Sequence, residues 1–210
     1  MEKFLPLFPL NLVAYPLEEL NLHIFEPRYR QLINECLDQD TTFGIPTYLN
    51  NTLPGFGTEM RVTQLVKRYD DGQMDVRTQG IQPFRIIDFE NPAPNRLYSG
   101  GFVNLLGKPK TQPPILPELL FKVKKLYEVL GHEMSFDIEK AQPYSYQISH
   151  KIGLSLEDEY KILTMPTETE RQEFLVRHLT KVIPTIQEME RTRERIRLNG
   201  HFKNLDPLKF

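Results

Sequence analysis

The sequence predicts an α+β protein: a small N-terminal β-barrel with one inserted helix, then a helical bundle ending in a long helix. Three observations carry this. Of the 17 prolines, 13 precede residue 118, and 8 of the 11 glycines precede residue 110, so turn chemistry is concentrated in the first half. Within that half, short apolar/polar alternations flank a turn containing Asp71-Gly72. Beyond residue 115 the apolar spacing changes to the threes and fours of helices. The expected organisation is a barrel subdomain over 1–110, a helical bundle over 115–200 and a tail over 201–210.

The elements follow in order. Leu5-Pro6-Leu7-Phe8-Pro9-Leu10 reads as a twisted edge strand, apolar and stiffened by fixed-angle prolines. Pro27 suits a first helical position, and Tyr29, Leu32, Ile33, Cys36 and Leu37 follow as one buried stripe. Met60 and Val62, then Met74, Val76 and Thr78, alternate with polar residues on either side of Tyr69-Asp70-Asp71-Gly72-Gln73, whose Asp-Gly step supplies the positive φ of a tight turn. Apolar runs at 43–48, 84–89 and 98–106 complete a closed or nearly closed sheet. The proline-rich stretch 108–114 reads as a stiff connector. Leu116, Leu119, Leu120, Val123, Tyr127 and Leu130 then form a helical face, and shorter helices are expected over 143–152 and 155–165. Thr167 and Glu170 make a capping box opening the last helix, with Leu175, Leu179, Val182, Ile186 and Met189 as its seam, a bend at Pro184 and an interruption at Arg193.

Composition narrows the function classes. A net charge of -2 and a pI near 6.2 supply no overall field for nucleic acid. One cysteine permits no internal disulfide and suits a reducing compartment, while the apolar start is broken at Pro6 and Pro9, too short for a secretory signal. A cytoplasmic location is expected.

The opening run, with Ile24-Phe25-Glu26-Pro27-Arg28-Tyr29-Arg30, resembles the start of the substrate-binding N-terminal domain of Lon-type proteases. Further matching points are Phe43-Gly44-Ile45, Gly57-Thr58, Asp71-Gly72, and Gly80 followed by Phe84-Arg85-Ile86, so the resemblance spans roughly residues 4 to 198. It implies a PUA-like β-barrel with an appended helical bundle. Within the signature Phe25, Glu26, Pro27, Arg28 and Tyr29, the charges flanking Pro27 read as architectural rather than as a functional pair, Glu26 accepting backbone donors at the helix start and Arg28 bracing a neighbouring loop. Two departures stand out: Pro16-Leu17 replaces a usual Pro-Gly turn, which implies a different turn conformation, and Pro83 stands where an arginine is common. Full-length Lon proteases continue into ATPase and peptidase domains, so the chain is expected to be a stand-alone protein of this kind.

No catalytic set is apparent. The segment from Gly101 to Pro109 approaches a phosphate-binding loop but has five residues between its glycines and a proline after Lys108. The five histidines form no i, i+4 pair, and Cys36 sits on an apolar helix face as a small hydrophobe. No cofactor or metal is expected. Arg191, Arg193, Arg195 and Arg197 divide between opposite sides of a helix at about 100° per residue, which favours a solvated helix end over a phosphate-binding face. Two readings are open for Leu53-Pro54-Gly55-Phe56: a surface loop presenting Leu53 and Phe56 to unfolded segments, or both side chains folded onto the barrel. With Phe8 and Tyr15 on the supposed edge strand, these form the candidate substrate-binding set. The resemblance implies a non-enzymatic module that contacts exposed apolar segments of client proteins as an adaptor to a protease in trans. The alternative is an RNA-binding PUA-like protein. The sequence leaves the oligomeric state and the client open.

Overall fold

The computed structural model describes residues 1–107, 113–134 and 143–201, with side chains as far as Arg197. Residues 108–112 of the expected connector and 202–210 of the expected tail lie outside the described residues. Two compact units are present: Met1–Gln112 with Gly153–Thr167, and Pro113–Ile152 with Glu168–Phe210.

The first unit holds β1 (Glu2–Leu7), β2 (Glu19–Ile24), α1 (Pro27–Gln39), β3 (Phe43–Pro46), β4 (Phe56–Arg68), β5 (Met74–Ile86) and β6 (Ser99–Leu105). The sheet order is β2-β5-β4-β3-β1-β6, and β6 also pairs with β5, so five strands close into a barrel with β2 added outside. Closure removes the edge the sequence suggested for the opening strand. β1 lies between β3, in parallel, and β6, antiparallel over its whole length. The chain then leaves the strand, so residues 8–15 form no edge strand. The hairpin strands are longer than expected: the apolar stretch at Phe84 is the far end of β5, where it turns from β2 to β6.

Two apolar clusters fill this unit. Leu5, Leu7, Phe84 and Val103 meet inside the strands, while Tyr29, Leu32, Ile33 and Cys36 of α1 pack with Phe43, Ile45, Met60, Met74 and Val76. Burial of such side chains supplies the main driving force, about 1.5–3 kcal/mol each. The signature residues serve this packing. Tyr29 stacks on Phe8 with ring centroids 3.7 Å apart, and the Arg28 guanidinium lies 4.5 Å from the Tyr29 ring centre. Glu26 makes no side-chain cap; its carboxylate pairs with Arg28 at 2.7 Å instead. Arg30 braces the hairpin turn, donating to the Asp71 carbonyl at 2.6 Å.

The Pro16-Leu17 turn keeps the conformation that a glycine would make easy. The Glu18 N–H donates to the Tyr15 carbonyl, Pro16 fills the second position, and Leu17 adopts φ 66°. The turn is clamped from β5, because Leu17 N–H donates to the Gly80 carbonyl and Gly80 N–H donates to Glu18, both at 2.9 Å. These bonds outweigh a left-handed cost of about 1–2 kcal/mol for a non-glycine residue. Since Leu17 is exposed, Leu17→Gly is expected to raise stability by about 0.5 kcal/mol in denaturant titration, the relieved strain exceeding the added unfolded-chain entropy.

At the outer end of β2, Asp75 Oδ1 lies 2.7 Å from His23 Nδ1, and Gln73 Oε1 lies 2.9 Å from His23 Nε2. The Gln73 amide nitrogen donates to Asp71, which turns its oxygen toward the ring. Both ring nitrogens thus face acceptors, as an imidazolium requires. The Asp75 hydrogen bond is the main influence holding His23 above its ordinary 6.5. Its stabilising contribution is complete below that value and fades as pH rises through the folded pKa. An NMR titration should place His23 above 6.5, and Asp75→Asn should return it toward the ordinary range.

In addition, α4 (Leu156–Thr164) belongs to the first unit: Tyr15 donates its hydroxyl to the Glu159 carbonyl, and Tyr160 accepts from the Phe56 N–H. Periodicity alone places this helix with the bundle, because an amphipathic pattern does not say which partner its face meets.

The second unit comprises α2 (Pro117–Leu130), α3 (Tyr144–Ser149) and α5 (Glu168–His201). α2 buries Leu119, Val123 and Leu126, and α5 buries Leu175, Leu179 and Ile183. The α5 seam therefore steps by four to Ile183 rather than to Val182, and by Met189 it is 65% exposed. The helix continues through Pro184.

Candidate functional site

Strict alternation along β1 turns Leu5 and Leu7 inward and leaves Phe4 and Pro6 on the outer face. Across the ladder Phe4 opposes Phe102, and the rings meet edge to face with centroids 5.5 Å apart. Phe4 lies over Gly100, where a Cβ would come within 2.6 Å of its ring. Even so, Phe4 remains 41% and Phe102 49% exposed. Beside them opens a cleft of about 780 Å³. Its walls are the C-terminal end of α1 (Glu35, Cys36, Gln39, Asp40), the loop from Glu90 to Tyr98, and Lys3 and Arg61 from the strands.

Most of the charge in this cleft is already paired. Lys3 donates to Thr42 and to Glu59 at 2.7 Å, and Gln82 donates to the other Glu59 oxygen. Burial alone would raise Glu59, but the bonds from Lys3, Gln82 and Thr42 hold it below its ordinary value. That contribution to stability is present above the ordinary value and lost as pH falls through the folded one. Arg96 lies 3.0 Å from Glu35, which also accepts from the Tyr98 hydroxyl. Burial pushes Tyr98 up to about 12 and Cys36 up to about 11, so both keep their protons near neutrality. Cys36 accordingly behaves as a small hydrophobe. Arg61, Asp40 and Glu90 have no side-chain partner among the described residues. The arrangement offers aromatic area beside a polar rim, a combination suited to tolerant contact with another chain.

The candidate residues named from sequence lie elsewhere. Phe8 and Tyr15, expected on an exposed edge, are buried, Tyr15 at 1% exposure: Phe8 stacks on Tyr29 of α1, and Tyr15 bonds to Glu159 of α4. Phe56 begins β4, is half-buried and meets the Tyr160 ring edge to face, while Leu53 is also half-buried. Phe25 is exposed and stacks on His23. The arginines at 191, 193, 195 and 197 are all exposed, with Arg193 paired to Glu190 at 3.6 Å. Sequence reasoning missed Phe4 and Phe102. The parity of β1 could have flagged Phe4, since Leu5 and Leu7 claim the inner face.

A closed five-stranded barrel with an extra strand and an inserted helix, followed by helices ending in a long one, defines the α+β class of the fold. Residues 4–181 match the family described as the ATP-dependent protease La (LON) substrate-binding domain. The chain belongs to that family. It is 33% identical over 107 residues to a LON peptidase N-terminal domain and RING finger protein of Schizosaccharomyces pombe, an alignment covering 42% of this chain and 22% of that protein. The chain thus spans under a quarter of that relative's length. Among solved structures it resembles a Lon N-terminal domain protein from Xanthomonas campestris, with TM-score 0.67, 24% identity, and coverage of 83% of this chain and 97% of that one. It also resembles the N-terminal domain of Lon protease from the Mycobacterium avium complex, with TM-score 0.63, 14% identity, and coverage of 85% and 98%. Among the described residues no helix is long and apolar enough to cross a membrane.

Proposed function

We propose that this chain is a non-catalytic, cytoplasmic binding module whose cleft takes exposed apolar or unfolded segments of client proteins and presents them to a Lon-type protease in trans. The observation that carries the reading is the half-exposed Phe4–Phe102 pair at the mouth of the cleft. Large aromatic side chains left in water beside a concave surface gain most when a partner covers them. Family membership supports protein substrates as the ligand class. Affinity is modest, because ordering an unfolded client offsets much of the contact energy. In place of Leu53 and Phe56, the geometry favours Phe4 and Phe102 as the contact residues, since Phe56 is engaged by Tyr160.

The test is binding of a labelled unfolded casein. The double variant Phe4→Ser/Phe102→Ser should bind at least about tenfold more weakly while retaining a cooperative melting transition. Unchanged binding by that variant would remove the cleft from consideration.

A further inference from the structure

Resting on that reading, the charges left over in the cleft say which segments it selects. Lys3 is committed to Glu59 and Thr42, and Arg96 to Glu35 and Tyr98, so these cations are neutralised where they stand. The charged side chains of the cleft without partners among the described residues are two carboxylates, Asp40 and Glu90, and one guanidinium, Arg61. Asp40 is also the C-cap of α1, in the left-handed conformation with φ 48°, and the last turn of that helix carries no basic residue. No basic residue of α1 itself offsets the negative end of the helix dipole, which adds to the two carboxylates at the cleft. Apolar area lies alongside, in Phe4 and Phe102.

We infer that the cleft selects extended segments in which a lysine or arginine adjoins a bulky apolar residue, the cation lying toward Asp40, Glu90 and the end of α1, the apolar group on Phe4 and Phe102. An acidic neighbour in the same place would meet two like charges and a helix end of the wrong sign. Arg61 alone does not offset them.

The experiment uses two fluorescent peptides of identical apolar content, one with lysines and one with glutamates beside the same phenylalanines, titrated with the full chain by anisotropy. The lysine peptide should bind about tenfold more tightly at low salt, the increment expected from two exposed carboxylates and a helix terminus. The difference should shrink as salt is raised. Asp40→Asn/Glu90→Gln should bring the two peptides to within about twofold. Equal binding of both peptides by the wild type, or tighter binding of the glutamate peptide, overturns the charge selection and leaves the cleft reading standing. Binding of neither peptide overturns both. Preference for lysine that persists in the double variant places the selecting charges elsewhere and also overturns the inference.

Discussion

Glu168→Ala should destabilise the helical unit by about 3–5 kcal/mol, the cost of leaving a buried ionic partner uncompensated. Glu168 and Arg171 stand one turn apart at the start of α5, both with side chains almost wholly out of water, and pair at 3.0 Å. The same carboxylate accepts from the Ser145 backbone N–H at 2.9 Å, the Ser145 hydroxyl at 2.6 Å and the Gln172 amide at 3.1 Å. Arg171 also sits 4.4 Å from the Tyr146 ring centre, and Gln172 accepts from the Leu116 N–H at 2.7 Å. One carboxylate thus ties α3 and the lead-in to α2 onto α5. Its removal takes the countercharge from a buried guanidinium and the acceptor from a backbone donor in a low-dielectric interior. Adding Arg171→Met to Glu168→Ala should cost less than the sum of the single changes, because the second substitution removes the buried charge that lost its carboxylate. Denaturant titration of the four proteins measures that coupling; strict additivity would contradict the network.

Gly80→Ala is expected to cost at least about 3 kcal/mol, at the upper end of overpacking effects. A Cβ at Gly80 would fall 2.1 Å from the Tyr15 carbonyl oxygen, which is backbone and has no rotamer with which to escape. The two hydrogen bonds between Gly80 and the Leu17-Glu18 turn would have to open for the methyl group to fit. Thermal melting should show a large loss, and a variant near wild-type stability would mean the turn can retreat from β5.

These two sites mark what the chain's pattern disclosed and what it did not. Asp71-Gly72, the α1 stripe and the apolar/polar alternation located the hairpin, the inserted helix and the barrel, because local backbone preference and periodicity act over a few residues. Gly80 was visible as one of the family's matching points, but its reason, a backbone passing within contact distance, belongs to tertiary structure. Glu168, Arg171 and Gln172 carry no sequence signal of their burial, since nothing in their spacing says that Ser145 will meet them. The cleft was hidden for a related reason. Phe4 and Phe102 lie on strands that become neighbours only when the barrel closes, and Phe8 and Tyr15 meet their covering partners, Tyr29 of α1 and Glu159 of α4, only in the folded chain. On α5 the chosen seam missed Ile183 in favour of Val182, because a 3.5 repeat and a run of fours diverge by one residue within two turns.

The most direct test of the cleft as a client site is amide-resolved NMR of the full chain titrated with unfolded casein. Shifts concentrated at Phe4, Arg61, Ala93, Tyr98 and Phe102 are the predicted result. A response confined to Leu53 through Phe56, or to the arginines at 191–197, with the cleft amides unmoved, would contradict it.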